Sequence, residues 1–172
     1  ILNQWKKRVR QHSINCSRKG LGAHNVPATH ANAPNKKSFV SVDFSANGLL
    51  GLDATYLKVV PNIKTLNLNN NNLTNLPKSL NKLKQLNNIY LAGNQITVFD
   101  VSKLSGSWSI RTLDLRQNKI AEIRTQNPYD VQLTYLSLRN NELTHLYTGV
   151  FAKFTKLQKL YLQNNKINVL RD

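Results

Sequence analysis

Few side chains in this chain carry the means to do covalent chemistry. His12, Cys16, His24 and His30 are zinc-capable types, but their spacings of four, eight and six residues are irregular and Lys and Arg crowd around them. A cage of closed tetrahedral ligands is not expected from that pattern, so no metal is assigned. The eight acids, Asp43, Asp53, Asp100, Asp114, Glu122, Asp130, Glu142 and Asp172, are dispersed along the chain. None pairs with another in a way that would divide general-acid from general-base work. No glycine-rich phosphate loop occurs, and neither an enzyme nor a cofactor is expected. What does recur is aromatic and cationic. Tyr90, Tyr135 and Tyr161 alternate with Arg116, Arg139 and Lys159, with Asp114 among them. Tyr and Arg combine apolar area with a directional polar tip and are enriched at binding hot spots. Rings interleaved with cations also suit stacked bases or sugars bearing anionic groups. This chemistry holds a ligand and does not transform one.

Those residues are positioned by a frame that occurs six times. It runs Phe39/Val42/Phe44/Asn47/Leu49/Leu52, then from Ile63, Leu86, Ile110, Leu133 and Leu157 with ladder residues Asn71, Asn94, Asn118, Asn141 and Asn165. The starts lie 24, 23, 24, 23 and 24 residues apart. A fixed period of that size marks a repeat architecture. Within each frame the fourth and sixth positions are apolar and their neighbours polar, the two-residue period of a short strand with one buried side. One coil cannot bury its apolar edge alone, so coils stack, their strands align into a parallel sheet and their leucines merge into one core. The third, fifth and seventh positions then face away from that core. This places Tyr90, Asp114, Arg116, Tyr135, Arg139, Lys159 and Tyr161 on one concave face.

The recurring Asn has a task of its own. Where the chain leaves the strand, backbone groups lose their ladder partners, and an orphaned buried one costs roughly 1–3 kcal/mol. An inward Asn offers both a donor and an acceptor to the turns above and below it. Asn118, in a central coil, is expected to be buried and bonded to turn backbone. On the return side, Leu57 and Val60, Leu80 and Leu83, and Phe151 and Phe154 suggest short helical or 3₁₀ turns. Val101–Ser109 and Arg124–Gln132, with Gly106, Trp108, Pro128 and Tyr129, are expected to run extended or irregular. The expected fold is therefore α/β: a right-handed solenoid with about six short parallel strands and mostly short 3₁₀ or irregular convex segments.

The net charge of +16 comes from 24 basic and 8 acidic residues among 172. Residues 1–38 hold Lys6, Lys7, Arg8, Arg10, Arg18, Lys19, Lys36 and Lys37 and no acid. They form a basic arm, with a cap-like segment, ahead of the repeats at 39–172. Such a field attracts polyanions such as nucleic acid or sulfated glycan, and it equally serves as a solvated arm. The single Cys16 excludes an intrachain disulfide, leaving a lost partner or a free thiol. Asn15-Cys16-Ser17 and Asn72-Leu73-Thr74 are glycosylation sequons, and Asn72 is expected to face solvent. No apolar run reaches the ~20 residues that span a bilayer. The chain opens on Ile and its sixth frame closes at Leu170. That implies a processed form or fragment, with further chain or a second subunit covering the last coil.

Residues 39–172 resemble the leucine-rich repeats of animal extracellular proteins. Leu146-Tyr147-Thr148-Gly149-Val150-Phe151, followed by Phe154, Leu157, Leu160 and Leu162, is similar to their typical 24-residue repeat. Leu73-Thr74-Asn75-Leu76-Pro77 resembles the usual exit of such a coil. Cys16-Ser17-Arg18-Lys19-Gly20-Leu21 with Val26-Pro27 resembles the N-terminal cap of Toll-like receptors and related secreted proteins, although it is longer and lacks their earlier cap cysteines. The resemblance implies an extracellular recognition protein, secreted or the ectodomain of a receptor, with a protein or glycan ligand and a role in innate immunity. An intracellular scaffold built from the same repeats is the alternative.

Overall fold

The computed structural model describes residues 13–21, 40–52, 61–78, 80–125 and 130–171. Phe39, Leu57, Val60, Pro128, Tyr129, His12, His24, His30 and the basic residues Lys6, Lys7, Arg8, Arg10, Lys36 and Lys37 lie outside them.

Among the described residues there are eleven strands of three residues each. They are β1 (Ser13–Asn15), β2 (Ser41–Asp43), β3 (Thr65–Asn67), β4 (Asn88–Tyr90), β5 (Val98–Asp100), β6 (Thr112–Asp114), β7 (Glu122–Arg124), β8 (Tyr135–Ser137), β9 (His145–Tyr147), β10 (Lys159–Tyr161) and β11 (Val169–Arg171). One parallel sheet runs β1-β2-β3-β4-β6-β8-β10, in register coil to coil. Its central residues Ile14, Val42, Leu66, Ile89, Leu113 and Leu136 are buried, as the alternation requires. The next apolar position, Phe44, Leu68, Leu91, Leu115 and Leu138, completes a continuous core with Ile63, Leu86, Ile110 and Leu133 from the coil entries. This is the right-handed solenoid that the period demanded.

The sheet has seven strands where about six were expected, because residues 13–21 form one more coil. Cys16 occupies the slot that Phe44 and Leu68 fill in later coils, with 0% of its surface exposed. The strand ends at Asn15, just before Cys16. Lys19 stands where later coils have Asn. Its backbone N–H still donates to Asn47 Oδ1 at 2.7 Å, which ties this coil to the next. Burial, followed by the nearby Asp43 charge, pushes the Cys16 thiol up to about 12, against a smaller opposing pull from Lys19. Because the folded value lies above the unfolded one, this stabilisation is complete below the ordinary thiol range. It is lost as pH rises from there towards about 12. In the native protein at about pH 8, reaction of Cys16 with a thiol reagent is expected to be ~100-fold slower or more than in denaturant, since only opening of the first coil exposes it. A fast native reaction, followed by absorbance, contradicts the burial.

The Asn ladder runs through all six frames, with a direction the frame did not reveal. Asn118 Nδ2 donates to Leu115 O in its own coil at 2.9 Å and to Leu91 O in the preceding coil at 3.0 Å. Its Oδ1 accepts from Ile96 N–H at 3.0 Å, again in the preceding coil. Asn71, Asn94, Asn141 and Asn165 repeat this arrangement. Each amide therefore serves its own turn and the one before it, and the turn after it is served by the next Asn. The residue before the ladder Asn is left-handed in each coil: Arg18, Ala46, Asn70, Gly93, Gln117, Asn140 and Asn164, with φ between 53° and 67°. At Gly93 an added Cβ would come within 2.4 Å of the Asn70 Oδ1, so the glycine answers both the backbone and its neighbour.

The return side departs from expectation twice. Val101–Leu104 is a 3₁₀ helix and not an extended segment. Asp100 caps it by accepting from Ser102 N–H at 3.0 Å, and Val101 and Leu104 are buried. Burial alone would push the Asp100 carboxyl up, but hydrogen bonds from Ser102 and the Lys103 ammonium 3.3 Å away hold it below its ordinary value. The second departure is a pair of small parallel sheets, β5–β7 and β9–β11, built around the last apolar position of the frame. The 3₁₀ turns at Leu80–Lys82 and Thr148–Phe151 are as read, with Leu80, Leu83 and Phe154 in the core. In the sixth coil Leu157, Leu160, Leu162 and Ile167 are only partly buried and Leu170 is 72% exposed.

Candidate functional site

The concave face is made by the outward positions of the seven-stranded sheet, which the register stacks into columns. Thr65, Asn88, Thr112, Tyr135 and Lys159 form one column, and Asn67, Tyr90, Asp114, Ser137 and Tyr161 the next. A third is set by strand-exit bonds such as Gln117 N–H to Arg139 O and Asn140 N–H to Gln163 O, which align Arg116, Arg139 and Gln163. The sequence could assign these columns because a three-residue strand with one buried centre leaves no other choice of face.

Across β3, β4, β6 and β8 the columns surround an open hollow of about 520 Å³. Of the predicted ligand residues, Tyr90, Asp114, Arg116 and Tyr135 meet around it. Asn67, Asn69 and Thr112 also line it and were not selected as site residues from the sequence. Their amide and hydroxyl groups gave no hot-spot signal, and only their shared position in the frame could have pointed to them. Arg139, Lys159 and Tyr161 continue the face beyond the hollow. The Tyr135 and Tyr161 rings lie 5.3 Å apart at 42°, making one aromatic surface across two strands.

Asp114 is less open than its place on the concave face implies, with only 4% of the residue exposed. Its Oδ1 accepts from the Arg116 backbone N–H at 3.1 Å and its Oδ2 lies 3.4 Å from Arg116 Nε. Asp43, Asn67 and Asn15 make the same bond to the N–H two residues on. The carboxylate thus shapes the strand exit and holds Arg116, and reaches a ligand mainly through that arginine. Ser137 and Ala92 are also buried on this face, which leaves the rings and cations as its raised features.

The other predicted sites are more scattered. Arg18 and Lys19 are exposed on the first coil, and the rest of the proposed polyanion set lies outside the described residues. Asn15 and Asn72 are both exposed. Asn15 Oδ1 accepts from the Ser17 hydroxyl of its own sequon at 2.8 Å. Among the described residues no group of His, Cys, Asp or Glu is placed to hold a metal ion, and no helix is long and apolar enough to cross a membrane.

A fold of stacked coils around an Asn ladder, with a concave parallel sheet, defines a leucine-rich-repeat solenoid. The leucine rich repeat family model matches residues 39–96 and 108–167, more than half of the chain, and the protein belongs to that family. Among solved structures, it is similar to a leucine-rich-repeat protein of Leptospira interrogans at 21% identity, with a TM-score of 0.71. That likeness covers 97% of this chain and 46% of the other, so the chain spans less than half the length of that relative. At this identity the likeness speaks to the fold. No curated protein matches the chain significantly. Repeats of this family typically serve as non-enzymatic scaffolds for protein recognition.

Proposed function

We propose that this protein is a non-enzymatic, extracellular recognition module that holds a protein partner across its concave face, in the manner of receptor-like or secreted proteins of innate immunity. One observation carries the reading: Tyr90, Tyr135 and Arg116 gather around a polar hollow, and Tyr161, Arg139 and Lys159 extend the same face. Rings backed by a rigid sheet lose little conformational freedom on binding, the quality that marks hot spots. The exposure of Asn15 and Asn72 favours an extracellular setting, since both sequons are open to a glycosyltransferase.

Removing the Tyr135 ring in Tyr135→Ala is expected to weaken capture of the partner from the natural source by about tenfold or more. The circular dichroism spectrum and melting temperature should change little, because the ring stands on the surface of the sheet. Undiminished capture would move the binding surface off this face. Mass spectrometry of protein from the natural source is expected to find glycan on Asn72, Asn15 or both. Bare asparagines on protein from a cytosolic fraction would favour the intracellular scaffold.

A further inference from the structure

Charge on the concave face is segregated along the solenoid. Among the described residues the first coils present Asp43 and a run of amides and hydroxyls, including Asn67, Asn69 and Thr65. In the fourth coil Asp114 and Arg116 neutralise each other. The fifth and sixth coils present Arg139 and Lys159, both exposed, on either side of the Tyr135–Tyr161 pair. Ion pairs among the described residues join Lys103 to Asp100, Arg116 to Asp114 and Arg124 to Glu122, and none involves Arg139 or Lys159. These two cations stand next to rings, with no acid of their own coils on that face.

We infer that the partner held on the concave face presents a short extended segment whose acidic end lies over the fifth and sixth coils, against Arg139, Lys159 and the Tyr135–Tyr161 surface. The inference rests on the concave-face reading and names the chemistry of the partner. Adjacent strands lie about 4.8 Å apart, so the span from β3 to β10 is about 19 Å, or about six residues of extended chain. Over that length the segment passes from neutral hydrogen-bonding groups at the hollow to carboxylates at its end. A guanidinium fork and an ammonium on either side of an aromatic pair suit carboxylates and the planar or apolar groups next to them. A polyanionic chain fits less well. Its regular charges would run on past two cations over the neutralised Asp114–Arg116 pair and the amides of the earlier coils, which offer no counter-charge, and then meet Asp43.

The test uses the whole 172-residue chain and a displayed library of random dodecapeptides as the probe. Sequences enriched on the wild-type protein are expected to be acidic at one end. Synthetic peptides from that pool should bind Arg139→Glu/Lys159→Glu at least tenfold more weakly. The control Lys82→Glu/Lys84→Glu makes the same change in net charge on exposed residues around a return-side turn, and is expected to leave binding within about twofold. An equal loss in the control would overturn the inference, because general attraction to a basic protein would explain it. Enriched peptides without acidic bias that are lost on Tyr135→Ala would overturn the acidic partner and leave the concave site standing. Peptides indifferent to both Tyr135→Ala and the charge reversal would overturn the two readings together. A heparin tetrasaccharide that binds through Arg139 and Lys159 where no peptide is enriched would replace the protein segment with a sulfated glycan.

Discussion

Phe99→Ala is expected to destabilise the protein by about 3–5 kcal/mol, the usual cost of emptying a phenylalanine site in a core. Phe99 is wholly buried at the centre of β5. Its ring meets Phe154 edge to face at 6.4 Å, and Phe154 in turn meets Phe151 at 5.4 Å. The side chain therefore packs the return wall of the third coil against a residue from the fifth. A void there cannot collapse easily, because β5 is held by its ladder to β7 and by the capped 3₁₀ turn that follows. Equilibrium denaturation in urea measures the loss. A change below about 1.5 kcal/mol would place Phe99 outside the core, since that is the range of conservative swaps.

The second large effect distinguishes two replacements of one ladder residue. In Asn118→Ala, Leu91 O keeps its bond from Asn94 Nδ2 and Leu115 O keeps its bond from Asn141 Nδ2, so only the Ile96 N–H is orphaned. The expected loss is about 1–3 kcal/mol. Asn118→Asp keeps the acceptor for Ile96 but turns the donor into a charged oxygen facing Leu91 O, Leu115 O and Arg116 O. A buried carboxylate against three carbonyls is expected to cost about 3–5 kcal/mol, as for an uncompensated buried charge. The isosteric change is thus worse than the truncation, and acidification that protonates the carboxyl narrows the gap. Denaturation of both variants at neutral and acid pH decides the matter. Equal losses that do not depend on pH would mean the donor function of Asn118 is unimportant.

The frame made the concave sheet, its register and the ladder legible because each rests on a period: two along a strand, and 23 or 24 between coils. What stayed hidden depends on neighbours or on backbone state. Arg18, Ala46 and Gln117 take the left-handed conformation without the Gly or Asn that would announce it. Cys16 and Lys19 disguise the first coil because neither is the residue the frame prescribes, although Ile14 keeps the spacing. Asp114 reads as an open acid, yet Arg116 two residues on draws it in. Asp100 marks the start of the 3₁₀ turn at Val101–Leu104 only once Ser102 is seen as its partner, since Gly106 and Trp108 dominate that stretch of sequence.

The two small return-side sheets have a mechanical consequence. β5 is laddered to β7 and β9 to β11, but no ladder joins β7 to β9. Past the bond from Glu142 N–H to Ile120 O, the fourth and fifth coils are joined on that side, among the described residues, only by the backbone bond from Val131 N–H to Lys153 O at 2.7 Å, whereas three-residue ladders join the third coil to the fourth and the fifth to the sixth. The return wall is therefore laddered within those two pairs of coils and only pinned between them, while the concave sheet runs unbroken through both. Bending there is opposed by less backbone bonding than within either pair, with the concave sheet as its hinge line. The hollow spans the same joint, with Asp114 and Arg116 on one side and Tyr135 on the other. A partner seated there meets the face at one of its less heavily bonded joints, so the face can adjust its curvature without giving up any strand of the main sheet.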